Sequence, residues 1–140
     1  MIEIINDQFG NYVFQKFVEC CDKSLIAKII DKIKNSLFII ATNTHGTRVL
    51  QKILDYISNE NDLELFRDFF QKNFYNLFMD NNGNHVIQKV IYSFPKNKNQ
   101  FIIEEVTKFC VDISKLKLGG CIIQKALDNS VEQLKVKVFC

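Results

Sequence analysis

Gly10-Asn11-Tyr12-Val13-Phe14-Gln15-Lys16 is followed along the chain by three near-copies of itself. These are Gly46-Thr47-Arg48-Val49-Leu50-Gln51-Lys52, Gly83-Asn84-His85-Val86-Ile87-Gln88-Lys89 and Gly119-Gly120-Cys121-Ile122-Ile123-Gln124-Lys125. The glutamines fall 36, 37 and 36 residues apart. A period of that size marks a solenoid, in which each unit buries its apolar face only against its neighbours. Packing alone does not demand a Gln and a Lys in every copy, so the motif points to something bound outside the core.

The segments between motifs repeat one order of events. Apolar residues continue past each motif at helical spacing, as in Val13, Phe14, Phe17, Val18 and Val49, Leu50, Ile53, Leu54. Polar breaks follow at Asp22-Lys23-Ser24, at residues 58–62, at residues 93–99 with the only proline, Pro95, and at Asp128-Asn129-Ser130. Amphipathic stripes come next: Leu25, Ile26, Ile29, Ile30 and Ile33; Leu65, Phe66, Phe69 and Phe70; Ile102, Ile103, Val106 and Phe109. A short apolar segment then leads into each next glycine (residues 37–41, 74–79 and 111–118). Three helices per unit, without strands, make an all-α solenoid. Asp7, Asn43 and Asp80, each three residues before a motif glycine, are N-cap types and start the motif helices; the fourth unit has Leu116 there.

Composition narrows the function class. A net charge of +2 permits nucleic-acid binding without requiring it. No apolar run reaches the length of a membrane span, so no membrane partner is expected. The five cysteines, at 20, 21, 110, 121 and 140, form no C-x-x-C pair and read as reduced thiols. The two histidines sit at repeat-related places beside no nucleophile motif, and there is no phosphate loop or zinc-ligand spacing. An enzyme, a metal site and a cofactor are therefore not expected.

On a helix, residues four apart lie above one another. Asn11 and Gln15 then share a face with Tyr12 beside them, and Val13 turns toward the core. The same geometry gives Thr47, Arg48 and Gln51, then Asn84, His85 and Gln88. Tyr, Arg and His share only a planar face. Planar groups in register with amides suit single-stranded nucleic acid, whose bases can be stacked and read on their edges. Lys16, Lys52, Lys89 and Lys125 are candidate phosphate contacts, with a solvated flank as the alternative. His45 and Arg67 read as structural and surface residues.

These motifs resemble those of the Pumilio/PUF family of RNA-binding repeat proteins, over nearly the whole chain. The resemblance implies a partial Pumilio homology domain over residues 1–140, a partial crescent of about four repeats with motif helices starting near Gly10, Gly46, Gly83 and Gly119. It implies base-edge contacts from Asn11, Gln15, Thr47, Gln51, Asn84, Gln88 and Gln124, and base stacking on Tyr12, Arg48 and His85. Asn11/Gln15 and Asn84/Gln88 match the family's uracil-reading pair, and Thr47/Gln51 resembles its adenine pair. With antiparallel docking the implied core is 5′-UAU-3′; guanine reading would use an acidic acceptor where all four units carry Gln. The family's role implies recognition of mRNA 3′ untranslated regions, with repressor or deadenylase-recruiting proteins as partners. Repression of translation or promotion of decay in the cytoplasm would follow. Two alternatives stand beside this: a HEAT- or armadillo-like protein scaffold, and a nucleolar PUF-like ribosome-assembly factor. Val136, Val138, Phe139 and Cys140 would make a poor polar end cap, so a fragment of a longer array is expected.

Overall fold

A computed structural model describes residues 1–130 of the chain. The described residues form ten α-helices and no strand: α1 (Ile2–Asn6), α2 (Gly10–Cys20), α3 (Lys23–Ile33), α4 (Leu37–Thr42), α5 (Gly46–Leu54), α6 (Glu60–Met79), α7 (Gly83–Ser93), α8 (Gln100–Lys108), α9 (Cys110–Ser114) and α10 (Gly119–Asn129). The motif helices α2, α5, α7 and α10 begin on the four motif glycines and pack consecutively, α2 on α5, α5 on α7 and α7 on α10. Residues 136 and 138–140, read above as a poor cap, lie outside the described residues.

The sequence starts these helices by local chemistry. The Asp22 carboxylate accepts from the Leu25 amide at 2.8 Å and begins α3, whose Ile26, Ile29, Ile30 and Ile33 form one buried stripe. The Asn59 side chain does the same for α6 through the Asp62 amide at 2.8 Å. Glu60 and Asp62 in that first turn suit the positive end of the helix dipole.

Three helices per unit holds except in the second interval. There the expected pair fuses into the single 20-residue helix α6. In the first interval Lys34-Asn35-Ser36 tightens into a 3-10 turn between α3 and α4, and in the third Phe109 separates α8 from α9. The corresponding Gln71-Lys72-Asn73 contains two good helix formers. Asn73 also folds its amide back onto the Phe69 carbonyl at 2.8 Å, so its polar group no longer competes for the backbone of the next turn. The fused helix buries Phe66, Phe70, Phe74 and Phe78 along one stripe, and the Phe74 ring stacks on Phe109 at 5.9 Å between centroids.

Val13 does not turn into the core: it is 70% exposed, whereas its equivalents Val49, Val86 and Ile122 are buried. The helices that carry those three, α5, α7 and α10, each pack on the motif helix of the preceding unit. Among the described residues no motif helix precedes α2, only the short α1 packs on it, and Phe9 and Phe17 share the exposure of Val13 while Phe14 and Val18 face the core.

Candidate nucleic-acid interface

The motif glycine sets how closely each motif helix seats on the helix before it. A Cβ at Gly10 would stand 2.6 Å from the Ile4 carbonyl oxygen, and one at Gly83 would stand 2.7 Å from that of Leu77. At Gly46 it would strike the Asn6 side chain and at Gly119 the Ile113 carbonyl. Only a residue without a side chain permits the approach.

Three side chains then fix the first turn. Asp7 accepts from the Phe9 and Gly10 amides at 2.8 and 2.6 Å, and those amides hold its carboxyl below the usual carboxylate range. Asn43 accepts from His45 and Gly46, both at 2.8 Å, and Asp80 from Asn82 and Gly83 at 2.8 and 2.7 Å. The capping expectation holds in these three units. Leu116 has no such side chain, and in the turn before α10 the Gly119 amide donates to the Leu116 backbone carbonyl at 3.0 Å.

Asn11, Thr47 and Asn84 do not project from the surface as their spacing suggested. All three are buried. The Asn11 amide donates to the carbonyls of Asp7 and Gln8 at 2.8 and 3.0 Å, which spends both its hydrogens on the helix start. Its Oδ1 accepts from Gln15 Nε2 at 3.1 Å. Asn84 repeats the pattern with the Asp80 and Asn81 carbonyls at 2.8 and 2.9 Å and with Gln88 Nε2 at 3.2 Å. In the second unit Gln51 Nε2 donates to Thr47 Oγ1 at 3.3 Å, and that hydroxyl donates to the Asn82 carbonyl of the next unit, also at 3.3 Å. Gln15, Gln51 and Gln88 are thus each aimed by the residue four before them. In the first two units the glutamine keeps an outward acceptor, Oε1, and one outward N–H.

Tyr12, Arg48 and His85 form an exposed row beside those glutamines. Arg48 Nη1 lies 3.3 Å from the Tyr12 hydroxyl, so neighbouring planar groups meet edge to edge across one unit spacing. The fourth unit has only Gln124 in place: Gly120 and Cys121 are exposed, and a Cβ on Gly120 would meet nothing within 4 Å.

The four motif lysines have an unexpected set of partners. Lys52 reaches back to Glu19 on α2 at 2.7 Å, and Lys89 reaches back to Asp55 at 2.7 Å. Lys16 meets Glu19 within its own helix, also at 2.7 Å. Hydrogen bonds from Lys16 and Lys52 pull the Glu19 carboxyl down to about 2, and Glu19 in turn raises Lys52. Lys125 is different. Its ammonium donates to Gln88 Oε1 at 2.7 Å and lies over the Tyr92 ring at 5.3 Å. Glu19, Asp55 and Tyr92 all stand four residues after a motif glutamine, a position that sequence reading passed over although its register is legible.

Compared with known proteins, the Pumilio-family RNA binding repeat matches this chain four times, over residues 1–34, 37–66, 73–107 and 109–140. The chain belongs to the Pumilio family. Among similar Pumilio proteins, Pumilio homolog 11 of Arabidopsis thaliana is 34% identical over 99% of this chain and 25% of its own length. Suppressor protein MPT5 of Saccharomyces cerevisiae is 37% identical over 98% of this chain and 17% of its own. The Puf4 RNA binding domain, bound to an HO endonuclease RNA 3′ UTR recognition sequence, superposes with a TM-score of 0.92 at 30% identity, covering 99% of this chain and 43% of that one. The RNA-binding domain of yeast Puf5p bound to AAT2 RNA gives 0.86 at 35%, covering 99% and 40%. The chain therefore spans a quarter or less of these curated Pumilio relatives. Membership displaces the HEAT- and armadillo-like reading. The Pumilio solenoid here is a binding fold, and among the described residues no cluster of His, Cys, Asp or Glu could hold a metal.

Proposed function

We propose that this chain binds single-stranded RNA in a sequence-specific manner, one base per competent unit. The observation that carries this is the exposed row of Tyr12, Arg48 and His85 in register with Gln15, Gln51 and Gln88. Each base would stack against the planar groups and meet the glutamine on its edge. A glutamine offering one acceptor and one N–H complements the N3–H and O4 of uracil, and equally an amino group and ring nitrogen of adenine. The residue four before it then decides: Asn11 and Asn84 narrow the site toward uracil, while the smaller Thr47 leaves room for a purine.

The resulting site is 5′-UAU-3′, read by the third, second and first units in that order. Puf4 and Puf5p, whose folds this chain shares, are described bound to RNA, in Puf4's case a 3′ UTR recognition sequence. By that likeness the target here is an mRNA 3′ untranslated region and the outcome is repression or decay in the cytoplasm, through recruited repressor or deadenylase-recruiting proteins. Lys16, Lys52 and Lys89, balanced by Glu19 and Asp55, add less phosphate affinity than free ammonium groups would. Selection from a random RNA pool tests the reading: recovered sequences should share U-A-U. Enrichment of U-G-U without U-A-U would overturn it.

A further inference from the structure

The first and third units carry the same Asn/Gln pair, yet their glutamines have different surroundings. Gln15 has its Nε2 bonded to Asn11 and no lysine upon it: Lys52, the nearest motif lysine of the next unit, is held by Glu19 at 2.7 Å. Lys89 of the third unit is likewise held away from Gln51 by Asp55. At the next junction the acid is replaced by Tyr92, which offers the Lys125 ammonium only a ring face at 5.3 Å. Among the described residues Lys125 makes no ion pair, and it turns onto Gln88 Oε1 at 2.7 Å. Gln88, His85, Tyr92 and Lys125 line one open cleft with Gln51 and Lys89.

We propose that Lys125 is a specificity-determining residue of the third unit, adding a charged donor to the edge that Gln88 presents and so demanding a keto oxygen on the base. This rests on the RNA-reading proposal above. One hydrogen of the ammonium engages Gln88, which leaves two to meet an acceptor beside it. Uracil places the O4 acceptor there; cytosine places the N4 amino donor, which faces the ammonium donor to donor. A charge-assisted hydrogen bond is stronger than a neutral one, so the third unit rejects cytosine more sharply than the first. The device is the missing acid: Tyr92 releases the lysine that Glu19 and Asp55 retain elsewhere.

The test compares the whole chain with Lys125→Met and Tyr92→Asp variants by fluorescence anisotropy, with folding checked by circular dichroism. Three short RNAs carry 5′-UAU-3′, 5′-CAU-3′ or 5′-UAC-3′ in one constant, otherwise uracil-free context. The parent should lose about tenfold more affinity for the CAU RNA than for the UAC RNA. Lys125→Met should bring the two losses together while leaving the UAC loss unchanged. Tyr92→Asp should do the same with the lysine still present, by drawing it into an ion pair. Equal losses in the parent, or an equal weakening of all three RNAs by Lys125→Met, would overturn the role of Lys125 and make it a phosphate contact. Loss of base dependence at both positions in the parent would instead overturn the RNA-reading proposal, and this one with it.

Discussion

Lys52 Nζ lies 2.7 Å from Glu19 Oε1, an ion pair that ties the second motif helix to the first across a packing junction. Glu19 also receives Lys16 at 2.7 Å, so one carboxylate serves two ammonium groups. Its carboxyl is held at about 2 against an ordinary 4.5. A carboxyl lowered on folding stabilises the fold fully above its ordinary value, and the contribution fades as pH falls toward the folded value. Thermal melts of the parent should therefore decline between about pH 4.5 and 2. Glu19→Gln should melt lower at neutral pH and show a shallower decline over that window. Parallel curves for the two proteins would show that the pair adds nothing to the junction.

The glycines of the fourth motif separate two roles that the sequence leaves merged. Gly119 seats against the Ile113 carbonyl, whereas Gly120 faces open space. Gly119→Ala should cost about 1–3 kcal/mol through overpacking. Gly120→Ala should be neutral or stabilise by roughly 0.5 kcal/mol through helix propensity. Urea midpoints for the two variants check the contrast, and a similar loss in both would contradict it.

Arg48 should act as a stacking plane. Guanidinium is flat and weakly hydrated, while an ammonium is a compact, strongly hydrated charge. Arg48→Lys should lose much of the roughly 1–3 kcal/mol of a base-stacking contact, with net charge preserved. Titration with a U-A-U RNA at matched salt measures it. Unchanged affinity would remove Arg48 from the stacking row.

If three units read bases as proposed, affinity should be limited. Stacking worth roughly 1–3 kcal/mol per base is set against an association cost of about 4 kcal/mol or more. Binding by this chain should be on the order of micromolar or weaker. The fourth unit has room to improve, because nothing lies within 4 Å of a Cβ at Gly120. Gly120→Asn with Cys121→Tyr should supply the aiming amide and the stacking ring, raising affinity about tenfold for RNAs with a matching base 5′ of U-A-U. Nanomolar binding by the parent, or no gain in the double variant, would show that the fourth unit is not the weak one.

The repeat period, the start of every motif helix and the row of Tyr12, Arg48 and His85 were legible in the chain, because each depends on residues within about one helical turn. The same is true of the turns capped by Asp7, Asn43 and Asp80. Helix spacing also placed Asn11 and Gln15 on one face, but exposure of that face was a different matter. Burial of Asn11, Thr47 and Asn84 depends on how deeply the motif helix seats, and the glycines control that through contacts with residues six positions back or in another unit. The fusion of α6 was missed for a more local reason: Gln71-Lys72-Asn73 and Lys34-Asn35-Ser36 look equally polar, and the difference lies in propensity and in the Asn73 bond to Phe69.

By itself, then, the sequence determined an all-α array of four registered units and the exposed row of Tyr12, Arg48 and His85. Local periodicity and capping are encoded within a few residues, so no tertiary information is needed for them. Only the tertiary structure decided the partners: Lys52 with Glu19, Lys89 with Asp55, and Lys125 with Gln88. Those contacts join residues 33 to 37 positions apart. Which group a long, flexible lysine reaches depends on whether the stacked helix before it offers a carboxylate or a ring.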